Sequence, residues 1–283
     1  MKRITAAEFK DAVGADPAWA NNLTERVEIT DYCHLEASPI THLSPLLHFS
    51  GRDPEGAAAN FIHCDQLKLA EGNFSGWVGF SNSGIVRIGE LHITTADNSG
   101  NAANFFKCKC LEVAEGTFPG RVEFSGSGIN KIGKLWITVP DKDGFAAGFI
   151  GCEFLKVASG TFHGYVTFSG SIKIEKIEGL KITAPDEDGC AAGFSGCTSL
   201  VTAEGTFPGR VDFAKSGIAR IAKGLAITQA NKRGVKADFT GCDVLLPNEF
   251  LGPEYQMDEA TRRKNLGRIA AAKAMRMLPE IEI

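Results

Sequence analysis

AEGTFPGRV occurs twice in this chain, at residues 114–122 and again at residues 203–211. Related stretches precede and separate the two copies: AEGNFSGWV at 70–78 and ASGTFHGYV at 158–166. Self-similarity at a fixed period is typical of arrays in which each repeat packs only on its neighbours. The repeat therefore predicts one elongated array for the 283 residues, although length alone suggests one or two globular domains.

Each repeat begins at a glycine and is 44 or 45 residues long, with starts at Gly56, Gly100, Gly144, Gly189 and Gly234. The unit has the form G-x-A-A-x-F-x-x-C-x-x-L-x-x-A-x-G-x-F-x-G-x-V-x-F, followed by a serine-rich turn, I-x-x-I and L-x-I-T. Apolar residues spaced by threes in both halves predict two turns of chain per repeat. The short L-x-V and L-x-I segments alternate with period two, which predicts brief parallel strands. We expect these segments to supply core residues: Leu111 and Val113, Leu135 and Ile137, Leu155 and Val157, Leu180 and Ile182.

The frame F-x-G-C-x-x-L, at residues 149–155 and 194–200, resembles the BspA-like class of leucine-rich repeats. The segment I-x-x-L-x-I at 132–137 is similar to the general leucine-rich frame. The resemblance covers residues 27–246 and implies a curved solenoid whose L-x-V and L-x-I strands line the concave face. The chain departs from the class in two respects: alternate turns carry serine in place of cysteine, and no export signal precedes the repeats.

We expect a mainly β, leucine-rich-repeat-like solenoid at residues 27–250. An open array exposes its ends, so we also expect a cap on each side of it. Residues 1–26 are predicted to form an N-terminal helical cap: Thr5 and Glu8 have capping-box spacing, and Phe9 and Val13 share a helical face. Residues 251–283 are predicted to form a C-terminal cap, with a helix that follows Asp258 and stops near Pro279. Its predicted apolar face consists of Leu266, Ile269, Ala270 and Met277.

Charge and hydropathy exclude little. The net charge is −4, and the chain shows neither a signal peptide nor an apolar run that could span a membrane, so we expect a cytoplasmic protein without a membrane partner. The C-terminal helix is basic and leaves nucleic acid open as a ligand: Arg262, Arg263, Lys264, Arg268, Lys273 and Arg276. Neighbouring acids (Asp258, Glu259, Glu280, Glu282) and the lack of interleaved aromatic residues favour a solvated capping helix instead.

Five cysteines recur once per repeat: Cys64, Cys108, Cys152, Cys197 and Cys242. Two strands per repeat would place neighbours in this column roughly 9–10 Å apart, too far for disulfides, so we expect reduced, buried thiols. A pairing among Cys33, Cys110 and Cys190 stays open.

Nothing in the sequence points to catalysis, and we expect no catalytic residue, no metal and no cofactor. The histidines at 34, 42 and 48 lie close together, but their intervals match no usual ligand spacing. Pairs of aspartates lie just before two of the repeat glycines, as in calcium-binding turns: Asp141 and Asp143, and Asp186 and Asp188. The fourth copy has Asn231 and Lys232 there, which favours simple Asx turns.

Recognition is predicted at outward positions that vary within the constant frame. One such column, before the V-x-F segment, consists of Trp77, Arg121, Tyr165 and Arg210. A second, on the L-x-V and L-x-I segments, consists of Lys68, His92, Glu112, Trp136, Lys156 and Lys181. Trp, Tyr and Arg are enriched at binding hot spots. We therefore predict non-catalytic binding of another protein through a sheet face, and the alternatives are a carbohydrate-binding solenoid or a structural, self-assembling array. The predicted partner-binding residues are Trp77, Arg121, Tyr165, Arg210, Trp136 and His92.

Overall fold

The computed structural model describes residues 1–244 and 246–276. In these residues the chain is mainly β, and every paired strand runs parallel to its neighbours. Two α-helices, Ala6–Ala15 and Glu259–Arg276, and two short 3-10 helices, Trp19–Asn22 and Asn248–Phe250, complete the described part. The predicted mainly β fold with short parallel strands is confirmed.

Eleven strands form one continuous sheet, which we call the long sheet. They follow chain order from one edge to the other: Cys33–His34, Ala57–Asn60, Trp77–Gly79, Asn101–Asn104, Arg121–Glu123, Phe145–Gly148, Tyr165–Thr167, Cys190–Gly193, Arg210–Asp212, Ala237–Asp238 and Tyr255–Gln256. Since no strand is inserted between sequence neighbours, each repeat lies next to the repeats that flank it in sequence.

The remaining strands alternate in sequence with those of the long sheet, and we call them together the second face. A five-stranded sheet contains Lys2–Ile4, Val27–Ile29, Leu47–Phe49, Leu69–Phe74 and Arg87–Ile93. A four-stranded sheet contains Val113–Phe118, Lys131–Ile137, Val157–His163 and Lys176–Ala184. Two strand pairs follow: Thr202–Ala203 with Arg220–Ile221, and Thr206–Phe207 with Ala226–Ile227.

One core lies between the long sheet and the second face, and a stack of phenylalanine rings runs along it. Successive centroids are 5.1–5.5 Å apart and the ring planes are within 6–16° of parallel. The stack contains Phe61, Phe80, Phe105, Phe124, Phe149, Phe168, Phe194, Phe213 and Phe239, one from each return of the chain. Offset or near-parallel aromatic contacts of this kind add to the free energy of burial.

The cysteine column is buried beside this stack and bonds to the backbone. The thiol of Cys152 donates to the carbonyl oxygen of Phe124 at 3.3 Å and lies 3.7 Å from the hydroxyl oxygen of Ser127. Cys108 repeats the arrangement with Phe80 and Ser83. Thiol and hydroxyl therefore alternate along the column, which explains why alternate turns of the repeat carry serine. All eight cysteines are free thiols.

The predicted core residues are partly wrong. Leu111, Leu135, Ile137, Leu155 and Ile182 are buried, but Val113, Val157 and Leu180 are only half-buried. The reason is that Cys, Leu and Ala point inward at intervals of three around the turn, so Ala114 and Ala158 fill the interior where Val113 and Val157 were expected.

The first helix begins as predicted. The hydroxyl of Thr5 accepts from the backbone N–H of Glu8, and the Glu8 carboxylate accepts from the backbone N–H of Thr5. Phe9 and Val13 are fully buried, and the Phe9 ring lies 5.6 Å from the ring of Phe49. The capping box and its apolar face are confirmed.

The last helix docks through polar residues, and the predicted apolar face is wrong where it is described: Leu266 is 51% exposed. Thr261 and Asn265 are buried instead, one turn apart. The Thr261 hydroxyl donates to the carbonyl of Cys242, and the Asn265 amide bonds both Val244 and Leu246. These contacts satisfy backbone groups of Cys242, Val244 and Leu246, which no strand pairs within the described residues. The predictions for the side chains of Ile269, Lys273 and Arg276, and for Met277, Pro279, Glu280 and Glu282, lie outside what the structure describes.

Candidate functional site

Trp136 is the large apolar side chain that stands out on the second face. It lies on the strand Lys131–Ile137, between the buried residues Leu135 and Ile137. Its neighbours in register are Thr117 on one side and Thr161 on the other. Because both neighbours have short side chains, 53% of Trp136 remains exposed.

A groove runs beside Trp136 across the strands. Its larger part has a volume of about 550 Å³ and is lined by Trp136, Ser159, Gly160 and Glu178, among others. A second depression of about 360 Å³, lined also by Glu204, continues it and shares Glu178 and Gly179. The strand register shifts between Ala158 and Gly160, so each strand bends at a glycine that has no side chain to fill the space. The sequence alone does not predict this groove.

His92 occupies the position of Trp136 in the preceding repeat. It is exposed on the strand Arg87–Ile93, in register with Asn73. The backbone N–H of Glu112 donates to the carbonyl of Val86 at 3.2 Å. This bond joins the start of the strand Arg87–Ile93 to the start of the strand Val113–Phe118. His92 and Trp136 therefore share the second face, separated by roughly 9–10 Å at two strand spacings.

The other four predicted partner-binding residues lie on the long sheet, on the opposite side of the core. Trp77 and Tyr165 are half-buried there because they lie over glycines. A Cβ atom on Gly79 would come within 2.5 Å of the Trp77 ring, and one on Gly193 within 2.4 Å of the Tyr165 hydroxyl. Burial raises the pKa of Tyr165. Both aromatic rings contribute to the packing of the long sheet itself.

The two arginines of that column are already paired within the chain. Arg121 bonds Asp141 and Glu123, each at 3.0 Å, and its guanidinium lies 5.4 Å from the centre of the Phe145 ring. Arg210 bonds Asp238 at 3.3 Å. Since these charges have partners, a ligand would have to displace an existing ion pair in order to use them.

The six predicted residues thus fall on two faces. Trp136 and His92 share the second face, whereas Trp77, Arg121, Tyr165 and Arg210 share the long sheet. One partner cannot contact both sets through one flat surface. The second face carries the exposed Trp136 and the groove beside it, and we take it as the candidate site.

The acidic turns are Asx turns, as the fourth copy suggested. The Asp141 carboxylate accepts from the backbone N–H groups of Asp143 and Phe145 at 3.0 and 2.8 Å. Asn231 accepts from Arg233 and Val235 in the same way, each at 3.0 Å. An amide oxygen accepts these bonds just as a carboxylate does, so turn geometry explains the recurring acidic residues.

The histidines near the N-terminus have separate partners. His34 lies 3.9 Å from Glu36, His42 bonds Asn21, and His48 bonds Ser75. Among residues 1–244 and 246–276, no three His, Cys, Asp or Glu side chains are grouped so that they could hold a metal ion.

The thiols give a direct test of the buried column. Burial raises the pKa of Cys108 and Cys152 to about 11 and that of Cys197 to about 12, and it also raises the pKa of the half-buried Cys190. The thiolate is the reactive form, so buried, protonated thiols react slowly. At pH 8 we expect iodoacetamide to modify the exposed Cys110 first and Cys190 more slowly. The other six thiols should react only in denaturant. Peptide mapping by mass spectrometry checks this, and rapid native labelling of Cys108, two residues from Cys110, would contradict it.

Comparison of the chain with protein-family models, curated proteins and solved structures found no match. Neither helix of the described residues combines the length and the apolar character needed to cross a lipid bilayer.

Proposed function

We propose that this chain is a leucine-rich-repeat-like solenoid of the BspA-like class and that it binds another protein, without catalysis, through the second face. In this proposal residues 27–250 form the solenoid, and residues 1–26 and 251–283 are its helical caps. The strand order of the long sheet supports it, because each repeat adds its strands beside those of its sequence neighbours.

The observation that carries the proposal is the exposure of Trp136 on a backbone-paired surface. A tryptophan supplies a large contact area with few rotatable bonds, so a preformed site loses little entropy when a partner binds. The neighbouring threonines leave the ring uncovered, and the groove beside it gives a partner side chain or backbone a place to enter. The aromatic residues of the long sheet are occupied in packing and support this role less.

Trp136→Ala should weaken partner binding enough for the partner to be lost in a pull-down. A hot-spot tryptophan contributes at least about 2 kcal/mol, or roughly 30-fold in affinity. The measurement is a native pull-down from extract of the source cell, followed by mass spectrometry. Phe154→Ala is the matched control, because Phe154 is equally exposed, at 51%, but lies in a turn and not on a strand of the second face.

We expect wild type and Phe154→Ala to capture the same protein and Trp136→Ala to lose it. If all three baits capture the same proteins, the second face is not the site.

A carbohydrate ligand is the second candidate, and the groove favours it. Trp136 could stack on a sugar ring, and Glu178 and Glu204 could accept hydrogen bonds from its hydroxyls. Retention of the chain on an insoluble polysaccharide, lost in Trp136→Ala and kept in Phe154→Ala, would favour this candidate over a protein partner.

A further inference from the structure

A row of basic side chains crosses the second face beside the groove. It consists of Arg87, Lys131, Lys176 and Arg220, and we call it the basic row. All four are exposed, and each follows the same buried isoleucine by two residues in the I-x-x-I segment. Their neighbours in register are Leu69, Val113, Val157 and Thr202, which lie between them across the face.

All four copies of the repeat carry a positive charge at this outward position. At no other outward position do all four copies share a charge. At the position of Trp136 the four copies have His92, Trp136, Lys181 and Ala226. One residue before the basic row they have Val86, Asn130, Glu175 and Ala219. The basic row varies between Arg and Lys, so what the copies share is the positive charge and not one side-chain shape.

Internal contacts do not explain the row. The constant threonines of the same strands have a structural role, since Thr138 donates to the carbonyl of Phe118 and Thr183 to that of Phe162. In the basic row only Lys176 has an ion pair within the described residues, with Glu178. Three of the four charges are therefore presented to solvent, where an anionic partner can reach them.

The spacing of the row restricts the partner. Successive members are two strands apart, which is roughly 9–10 Å. A polyproline II segment advances about 9.3 Å per three-residue turn, so acidic residues at every third position would match the row. Side chains on one side of a β-strand repeat at about 6.6–6.8 Å and do not match it.

The groove fits the same conformation. Polyproline II segments bind in grooves that contain aromatic side chains, and Trp136 lines the groove next to the basic row. Nucleic acid fits less well, because its phosphates lie about 3.4 Å apart along a strand and do not match the spacing of the row. The net charge of −4 also opposes a dense polyanion.

We propose that the second face binds an extended acidic segment of its partner in the polyproline II conformation, with Asp or Glu at every third residue. The segment runs along the groove and across the strands, with its carboxylates on the basic row and its apolar residues on Trp136. This inference rests on the proposed function, because it assumes that the second face binds a protein.

The test measures binding of fluorescein-labelled peptides to the full chain by fluorescence anisotropy at physiological salt. The peptide (Pro-Pro-Glu)₅ carries acids at the required spacing. Pro₁₀Glu₅ has the same composition with its acids clustered, and (Pro-Pro-Gln)₅ has no charge. We expect (Pro-Pro-Glu)₅ to bind at least about tenfold more tightly than either of the other peptides, because only its carboxylates pair with the basic row.

Two charge variants test the row itself. Lys131→Gln with Arg220→Gln should weaken binding of (Pro-Pro-Glu)₅ about tenfold. Lys109→Gln with Lys142→Gln removes the same charge from exposed turn positions outside the second face and should change affinity less than about twofold. All four substitutions are at exposed sites, and equal melting temperatures confirm that folding is unaffected.

Two results would overturn the inference. If Pro₁₀Glu₅ binds as tightly as (Pro-Pro-Glu)₅, the spacing plays no part. If single-stranded DNA or a sulfated polysaccharide binds through the row and the peptides do not, the partner class is wrong. The proposed function is judged separately: a protein captured from extract, lost in Trp136→Ala and retained by the Lys131→Gln, Arg220→Gln variant would keep that function and refute this inference.

Discussion

Phe149→Ala is expected to lower the free energy of unfolding by about 3–5 kcal/mol. Phe149 is fully buried, and its ring lies 5.1 Å from both Phe124 and Phe168 in the stack and 6.2 Å from Phe162 on the second face. Truncation removes contacts with all three rings. Because the strands on both sides are paired to their neighbours, the backbone cannot collapse far into the space, and a cavity remains.

The measurement is urea denaturation followed by circular dichroism, with Phe154→Ala as the control. Phe154 is five residues further along the chain and half exposed, so its truncation should change the free energy of unfolding by no more than about 0.5 kcal/mol. Phe149→Leu should lie between the two. Equal losses for Phe149→Ala and Phe154→Ala would show that the stack does not stabilise the fold.

The sequence predicted the buried positions best where the repeat frame has a constant residue. The positions of Phe149, Cys152 and Leu155 are buried in the repeats that start at Gly56, Gly100, Gly144 and Gly189, and the spacing by threes was sufficient to find them. The period-two interpretation failed at Val113, because the strand begins only at Val113 and the spacing of three from Leu111 to Ala114 places Ala114 in the interior instead.

The candidate site was only partly predictable. Trp136 was found because it is a large aromatic residue at a variable outward position. That Tyr165 lies on the other side of the core, flat against Gly193, depends on which half of the repeat joins which sheet. The pairing of Arg121 with Asp141 depends on contact between residues that are separated in sequence. The basic row, in contrast, could have been found by aligning the copies of I-x-[RK]-I.

Gly144→Ala is expected to destabilise the protein by about 2–4 kcal/mol, as the sum of left-handed backbone strain and a steric clash. Gly144 has a φ of +86°, and a Cβ atom there would lie 2.6 Å from the Cα atom of Asp186, in the turn that precedes the next repeat glycine, Gly189. Its carbonyl oxygen also accepts from the backbone N–H of Tyr165 at 2.8 Å, so the turn cannot move away without loss of a sheet hydrogen bond. The clash is with backbone, which no side-chain rotation can relieve.

Gly151→Ala separates the two causes. Gly151 has a φ of +64°, but no heavy atom outside its immediate chain neighbours lies within 4 Å of a Cβ atom placed there. His63 and Lys107 occupy the same turn position in earlier repeats with φ of 56° and 57°, so side chains are tolerated at this conformation. We therefore expect a loss of only about 1 kcal/mol, from backbone strain alone. Thermal and urea denaturation of both variants measure the difference, and equal losses would mean that the close approach of Gly144 to Asp186 adds nothing to the cost of Gly144→Ala.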